Sequence, residues 1–430
     1  MDILPIITIL IIISAGFSYL NEKFVKLPGA IGVMIMSVVA SIVVLIMGRI
    51  GDEKSNLLTR LAHNINFSEV LLNVMLGFLL FASALHFDYQ KLKAMRKPVL
   101  ILSTLGVVVS TSIFGILLFG AAYVLHIEIP LIYCFVFGAL ISPTDPIAVS
   151  AIIKKSRIPP KLATVISGES MFNDAVGLII YVMMLGITKQ SSNRISIPET
   201  LRSFGTQVIG GVLIGFVMGF IAYRLIRSIK EFQTIVLISL ATVLGISVVA
   251  NLLHASIPLA AVVAGLVVGN NSFGKDHAAT HFLNNVWQLL DGILNTILFV
   301  MIGMQLLILP FLRHYWLIGL ISILIILIAR IVSVSLIAFF ELRKVNLVNL
   351  SILTWAGLRG GISIAMALSL PLSPYREVIL SCCYCIVIFS VIGQGLTLNK
   401  IVDKAISKDK TVLSVKSLKK AIETLEDNSS

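Results

Sequence analysis

Charge is scarce in this chain. Asp, Glu, Lys and Arg supply 13% of its 430 residues and hydrophobic side chains 57%, giving a mean hydropathy of +1.01. Soluble domains carry about 25% charged residues, so the composition excludes an ordinary soluble domain and indicates a polytopic membrane protein. Cysteine is scarce too. Cys134, Cys382, Cys383 and Cys385 lie in apolar runs, and the Cys-Cys-Tyr-Cys cluster lacks a neighbouring His or acid to complete a metal site. The thiols read as small core-filling side chains, neither a metal cluster nor a disulfide framework. No Lys or Arg precedes the first apolar run and no small-residue cleavage site follows it. That run is expected to be a retained span, not a signal peptide. The seven histidines are scattered, nearly all at segment ends, and none reads as a ligand. No large polar module that would bind nucleotides or act as a separate enzyme is expected from the sequence.

What is abundant is long apolar sequence. Thirteen segments can be marked near 3–20, 28–48, 69–87, 98–124, 129–152, 161–187, 203–225, 232–250, 256–269, 287–308, 315–340, 348–371 and 377–399. Most approach the roughly 20 residues a helix needs to cross a bilayer. The ninth is short, which leaves an interfacial helix open there. The net charge of +12 follows this topology and does not indicate nucleic acid. Loops after odd-numbered segments, with the tail and the segment-edge residues Lys161 and Arg224, hold 23 Lys and Arg; loops after even-numbered ones hold 8. By the positive-inside rule the N-terminus is expected outside and the C-terminus in the cytoplasm of a multi-pass plasma-membrane protein. Tyr315 and Trp316 open a segment where an aromatic belt belongs. The tail, 400–430, carries seven lysines and an acidic end; a solvated tail is expected, with a short amphipathic helix as the alternative.

The sixth segment contains Gly168-Glu169-Ser170-Met171-Phe172-Asn173-Asp174. Two carboxylates and an amide at bilayer depth are costly, and such groups mark ion or proton pathways. At about 100° per residue, Ser170 and Asp174 share one helix face, Glu169 and Asn173 another. Glu169 and Asp174 lie about 140° apart, so they have different tasks: one faces a water-filled cavity, the other an internal partner.

The fifth segment contains Ser142-Pro143-Thr144-Asp145-Pro146. Pro143 and Pro146 remove backbone donors and push their preceding residues from helical geometry, so a break is expected. The alternative is a simple kink with Asp145 as an N-cap. Breaks at this depth are tolerated where they line a cavity or are buried in protein, and their freed carbonyls can hold a cation. The twelfth segment contains Gly357-Leu358-Arg359-Gly360-Gly361, a second candidate break, since each glycine weakens a helix by about 1 kcal/mol relative to alanine. Segments five and twelve cross in opposite directions. Two broken helices in inverted topology point to a secondary transporter built from two inverted six-helix repeats, segments 1–6 and 8–13, with segment 7 as linker.

A buried, ionised Glu169 needs a partner. Arg330 lies in an unbroken apolar run and is the expected one; Arg359, which carbonyls at its own break could hold, is the alternative. The pair reads as structural, tying two helices together. Asp291 is taken as an interfacial cap at the start of segment ten.

On these motifs, taken together and in this order, the chain resembles the monovalent cation:proton antiporter family, which includes NhaP-type sodium/proton antiporters and the eukaryotic sodium/proton exchangers. The resemblance covers nearly the full length. It implies an all-α dimer of about thirteen helices per protomer with two broken, crossing helices. The core domain would be 98–187 and 309–399, and the dimerisation domain 1–97 and 232–308. The linker helix would fall in 188–231 and the cytoplasmic tail in 400–430. It implies that Asp174 alternately binds a proton or Na⁺, that Thr144, Asp145, Ser170 and Asn173 support or complete the site, and that Glu169 pairs with Arg330. It further implies that an Asn-Asp pair goes with electroneutral exchange, and that no cofactor is needed. Many relatives carry a glutamate in the third segment, where this chain reads Leu80-Phe81-Ala82-Ser83-Ala84.

Ligand chemistry agrees. A hard cation such as Na⁺ or Li⁺ takes carboxylate, hydroxyl and carbonyl oxygens, which Asp174, Ser170, Thr144, Asn173 and the broken helix offer. A partly desolvated carboxylate that takes either a proton or a cation gives coupled exchange if only the loaded site crosses. K⁺/H⁺ exchange is the nearest alternative. A distant one, intramembrane aspartyl proteolysis by Asp145 and Asp174, lacks the usual Gly-x-Gly-Asp context. A passive channel lacks any filter-like repeat.

Overall fold

The computed structural model describes residues 3–48, 70–145, 149, 153, 158–189, 197–271, 277–306, 312–342 and 347–408. Every regular element among them is helical. In chain order the principal helices are α1 (Ile3–Leu20), α2 (Gly29–Gly48), α3 (Leu76–Leu85), α4 (Leu105–Val124), α5 (Leu131–Ile141), α6 (Pro160–Lys189), α7 (Ile197–Ser228), α8 (Phe232–Leu252), α9 (Ile257–Asn271), α10 (His277–Gln305), α11 (Leu312–Leu342), α12 (Leu347–Trp355), α13 (Gly361–Leu368), α14 (Arg376–Ile388) and α15 (Gly395–Lys408), with the shorter helices Tyr89–Ala94 and Arg96–Ser103 between α3 and α4. Among the described residues eight helices are long and apolar enough to cross a membrane. Shorter apolar helices, Ile31–Val44, Leu76–Leu85, Leu131–Ile141 and Ile257–Gly269, accompany them.

Small residues set the packing, as they must where lipid offers no hydrophobic drive between helices. Gly211, Gly215 and Gly219 form one glycine stripe on α7, and a Cβ at Gly219 would lie 2.8 Å from Ala264 Cα on α9. On the far side of α9, a Cβ at Gly265 would lie 2.7 Å from the Phe81 carbonyl of α3. The short ninth segment is therefore buried between α7 and α3, with Ala260, Ala261, Val262 and Ala264 at zero exposure. Trp287 of α10 is buried; it donates to Ser239 Oγ of α8 at 3.0 Å and its ring lies 4.7 Å from that of Phe81. Ser37 and Ser41 bond the Val300 and Gly303 carbonyls, fastening α2 to α10. α11 packs against α4 and α14.

Two sequence boundaries move. α10 begins at His277, so Asp291 lies mid-helix and caps nothing. Its side chain accepts from Asn295 instead. The thirteenth segment continues past a short π-helical stretch, Phe389–Gln394, into α15, which runs to Lys408 with Val402 buried. The first part of the expected solvated tail is thus helical; residues 409–430 lie outside the described residues. Between 209 and 221 the exposed side chains of α7, among them Ile209, Leu213 and Phe216, are apolar, the surface that a lipid-embedded helix needs. Cys134, Cys382 and Cys383 are buried and unpaired. No group of His, Cys, Asp or Glu among the described residues could hold a metal cluster.

Candidate functional site

Both expected breaks are present. The fifth segment is helical through Ile141, then non-helical at Thr144 and Asp145; Pro146 lies outside the described residues. The twelfth is split between α12 and α13 by 356–360. A proline without an N–H and a run of glycines each leave backbone groups unpaired at a helix end, and here the two breaks pair with each other. Asp145 N donates to the Leu358 carbonyl at 2.7 Å. Arg359 Nη1 donates to the carbonyls of Ser142 and, at 2.8 Å, Pro143. Arg359 N in turn donates to Ser390 Oγ at 2.7 Å. Gly360 is required by proximity: a Cβ there would run into the Asp145 carboxylate. Arg359 is therefore held by carbonyls of the opposite break, where the sequence suggested its own.

α6 presents its polar residues to this crossing on three sides. Glu169 forms a two-pronged ion pair with Arg330 of α11: Nη1 to Oε1, and Nη2 to Oε2 at 2.9 Å. Both side chains are buried, and Nη2 also reaches the Leu353 carbonyl at 3.2 Å. Gly357 leaves the space for the guanidinium, since a Cβ there would lie 2.8 Å from Arg330 Nε. Asn173 and Ser170 face Thr144. Asn173 Oδ1 accepts from Thr144 N at 3.2 Å, its Nδ2 donates to Thr144 Oγ1 at 2.8 Å, and Thr144 Oγ1 lies 2.7 Å from Ser170 Oγ. Both ends of the Asn173 amide are engaged, so in this conformation it braces the broken segment against α6.

Asp174 takes the third side. It lines a narrow cavity of about 10 Å³ together with Asp145, Leu76, Leu79, Leu80, Leu298, Gly361 and Ile362, room for about one water-sized particle. The side chain is buried, and Oδ2 has no hydrogen-bond partner among the described residues. A buried oxygen left in that state calls for an explanation such as an ion or proton. The wall opposite Asp174 on α3 is leucine, in agreement with the absence of a third-segment glutamate. The approximately 140° between Glu169 and Asp174 emerges as a division between an internal pair and a cavity.

Sequence reasoning missed Ser390 and Gln394, whose side chains bond each other at 2.7 Å beneath Arg359. Two polar residues one helical turn apart in the last apolar segment were the available signal. It also missed the leucine walls, which carry none.

The model of the family "Sodium/hydrogen exchanger, transmembrane" matches residues 7–404. The chain is 37% identical over 412 residues to the Na(+)/H(+) antiporter NhaP of Pseudomonas aeruginosa, covering 93% of this chain and 96% of that one. It is 31% identical over 343 residues to the Na(+)/H(+) antiporter NhaH of Halobacillus dabanensis, covering 79% and 83%. Its fold is similar to that of the sodium proton antiporter MjNhaP1 from Methanocaldococcus jannaschii at pH 8, with TM-score 0.77 and 20% identity, over 95% of this chain and all of the other. The crossing breaks, the buried pair and the carboxylate cavity thus stand in a chain that belongs to the transmembrane sodium/hydrogen exchanger family.

Proposed function

We propose that this protein is a secondary antiporter exchanging Na⁺ (or Li⁺) for H⁺ across the membrane, with Asp174 as the group that carries either ion. The family and the named activity of the relatives support the exchange, and membership makes the protein a transporter, not an enzyme. The observation that carries the site assignment is the unpartnered, buried Oδ2 of Asp174 in the cavity at the crossing of the two breaks. Asp145 and Asp174 share that cavity, as a protease dyad would, but the family removes the proteolytic reading.

In this reading Na⁺ is cargo, met by Asp174 and by the hydroxyls of Ser170 and Thr144. Asn173 and the main chain of the broken fifth segment hold those hydroxyls in place, with Asp145 beside them. Arg359 stands where it neutralises freed carbonyls, and Glu169–Arg330 ties α6 to α11. Asp174 accepts one proton or one monovalent cation and Asn173 stays neutral, so one Na⁺ replaces one H⁺. Alternating access moves α4, α5, α6, α11, α12, α13 and α14 as a core against α1, α2, α3, α8, α9 and α10, with α7 as linker. The fastening of α2 to α10 and the packing of α11 on α4 and α14 support that division. About thirteen spans in two inverted repeats, a homodimer, and an outside N-terminus with a cytoplasmic C-terminus complete the reading; the charge asymmetry of the loops supports the orientation. The test is Na⁺-dependent proton movement in everted vesicles with a pH-sensitive dye, screened against Li⁺ and K⁺. Asp174→Asn is expected to abolish it while leaving a folded protein, and retained exchange in that variant overturns the assignment.

A further inference from the structure

We propose that Asp291 and Asn295 of α10 form an outer cation subsite on the route to Asp174, an assignment that rests on the exchange proposed above. Trp287, Asp291, Asn295, Leu298 and Ile302 follow one another at four- and three-residue steps, so they form a single stripe along α10. Its far end is at the ion cavity. Leu298 lines that cavity with Asp174, and a Cβ on Gly361 would lie 2.8 Å from both Leu298 and Ile302. At a rise of about 1.5 Å per residue, Asn295 sits about 4.5 Å and Asp291 about 10.5 Å along the axis from Leu298.

The stripe is otherwise apolar, and the amide stands out in it. Asn295 is 4% exposed. Its Nδ2 donates to Asp291 Oδ1 at 3.0 Å, which fixes the orientation of the amide. Its Oδ1 is buried and meets no hydrogen-bond partner among the described residues. Leucine would fill the same place without stranding a carbonyl, so packing alone does not account for asparagine. A carbonyl oxygen beside a carboxylate is a donor set for a hard cation. Asp291, half-buried, gives a cation its approach, and Asn295 offers the next oxygen before the leucine wall. The helix cap read for Asp291 is excluded by its mid-helix position.

The test uses the purified full-length protein in proteoliposomes, with proton flux measured against Na⁺ concentration. Asn295→Leu and Asp291→Asn are each expected to raise the apparent KM for Na⁺ about three- to tenfold, the loss of one ligand-strength interaction, and to lower the rate at saturating Na⁺ by less. Asn295→Asp, which keeps an oxygen donor, is expected to restore the lower KM. Should Asn295→Leu fail to fold, Asp291→Asn carries the test. Unchanged KM in the folded variants, with only stability or maximal rate reduced, identifies a packing brace and overturns the subsite. A wild-type protein without Na⁺-dependent flux overturns the exchange reading itself, and the subsite with it.

Discussion

Breaking the Glu169–Arg330 pair from one side and from both sides should give opposite results. Both side chains are almost wholly buried, 1% and 7% exposed. Glu169→Leu would leave a guanidinium whose described partner is the Leu353 carbonyl alone, with Nε already unpartnered. Arg330→Met would leave a buried carboxylate. Removing one member of a buried pair costs about 3–5 kcal/mol, whereas replacing both by apolar residues of similar volume is often neutral or stabilising. If the two sites acted independently the double variant would lose about 6–10 kcal/mol, the sum. The geometry instead predicts that it is more stable than either single variant. Thermal unfolding of the four proteins in detergent completes the cycle. Na⁺ affinity should change less than stability in the variants that fold, because the pair faces away from the Asp174 cavity. Charge exchange, Glu169→Arg with Arg330→Glu, should recover part of the loss. A double variant that melts at the sum of the single losses would refute the coupling, and rescue through Arg359 in place of Arg330 would refute the choice of partner.

The remaining predictions concern the crossing and the charge balance. Gly357→Ala should lower the melting temperature by displacing the Arg330 guanidinium, which a Cβ would approach to 2.8 Å; an unchanged melt would show that the guanidinium has room to move. Arg359→Met should uncover the Ser142 and Pro143 carbonyls and lose both stability and exchange, because buried carbonyls left unpaired cost about 1–3 kcal/mol each; normal flux in a normally stable variant would contradict this. Transport in proteoliposomes should be indifferent to an imposed potassium-diffusion potential if one Na⁺ replaces one H⁺. Acceleration that reverses with the sign of the voltage would show charge movement and bring in Asp145 as a second carrier.

The sequence by itself determined that the chain is apolar, helical and polytopic, because each span must satisfy its backbone internally and so leaves a long local signature. It also determined where the helices break, since Pro143 and the Gly357–Gly361 run act on their own backbone. The facing of Glu169 and Asp174 was legible too, from helical angle alone. Tertiary structure decided everything that depends on which breaks and faces meet. Arg359 could be assigned to its own break or to Glu169 until the two crossing segments were brought together, and only then did the Ser142 and Pro143 carbonyls become its acceptors. Asn173 offers a ligand by composition, yet its amide is engaged by Thr144 from a segment 29 positions away. Asp291 looked like a cap because apolar periodicity marks where a helix becomes hydrophobic, not where it begins; α10 starts earlier, in polar sequence. The leucine wall of the Asp174 cavity left no mark at all, since a leucine facing a cavity reads the same along the chain as a leucine facing lipid.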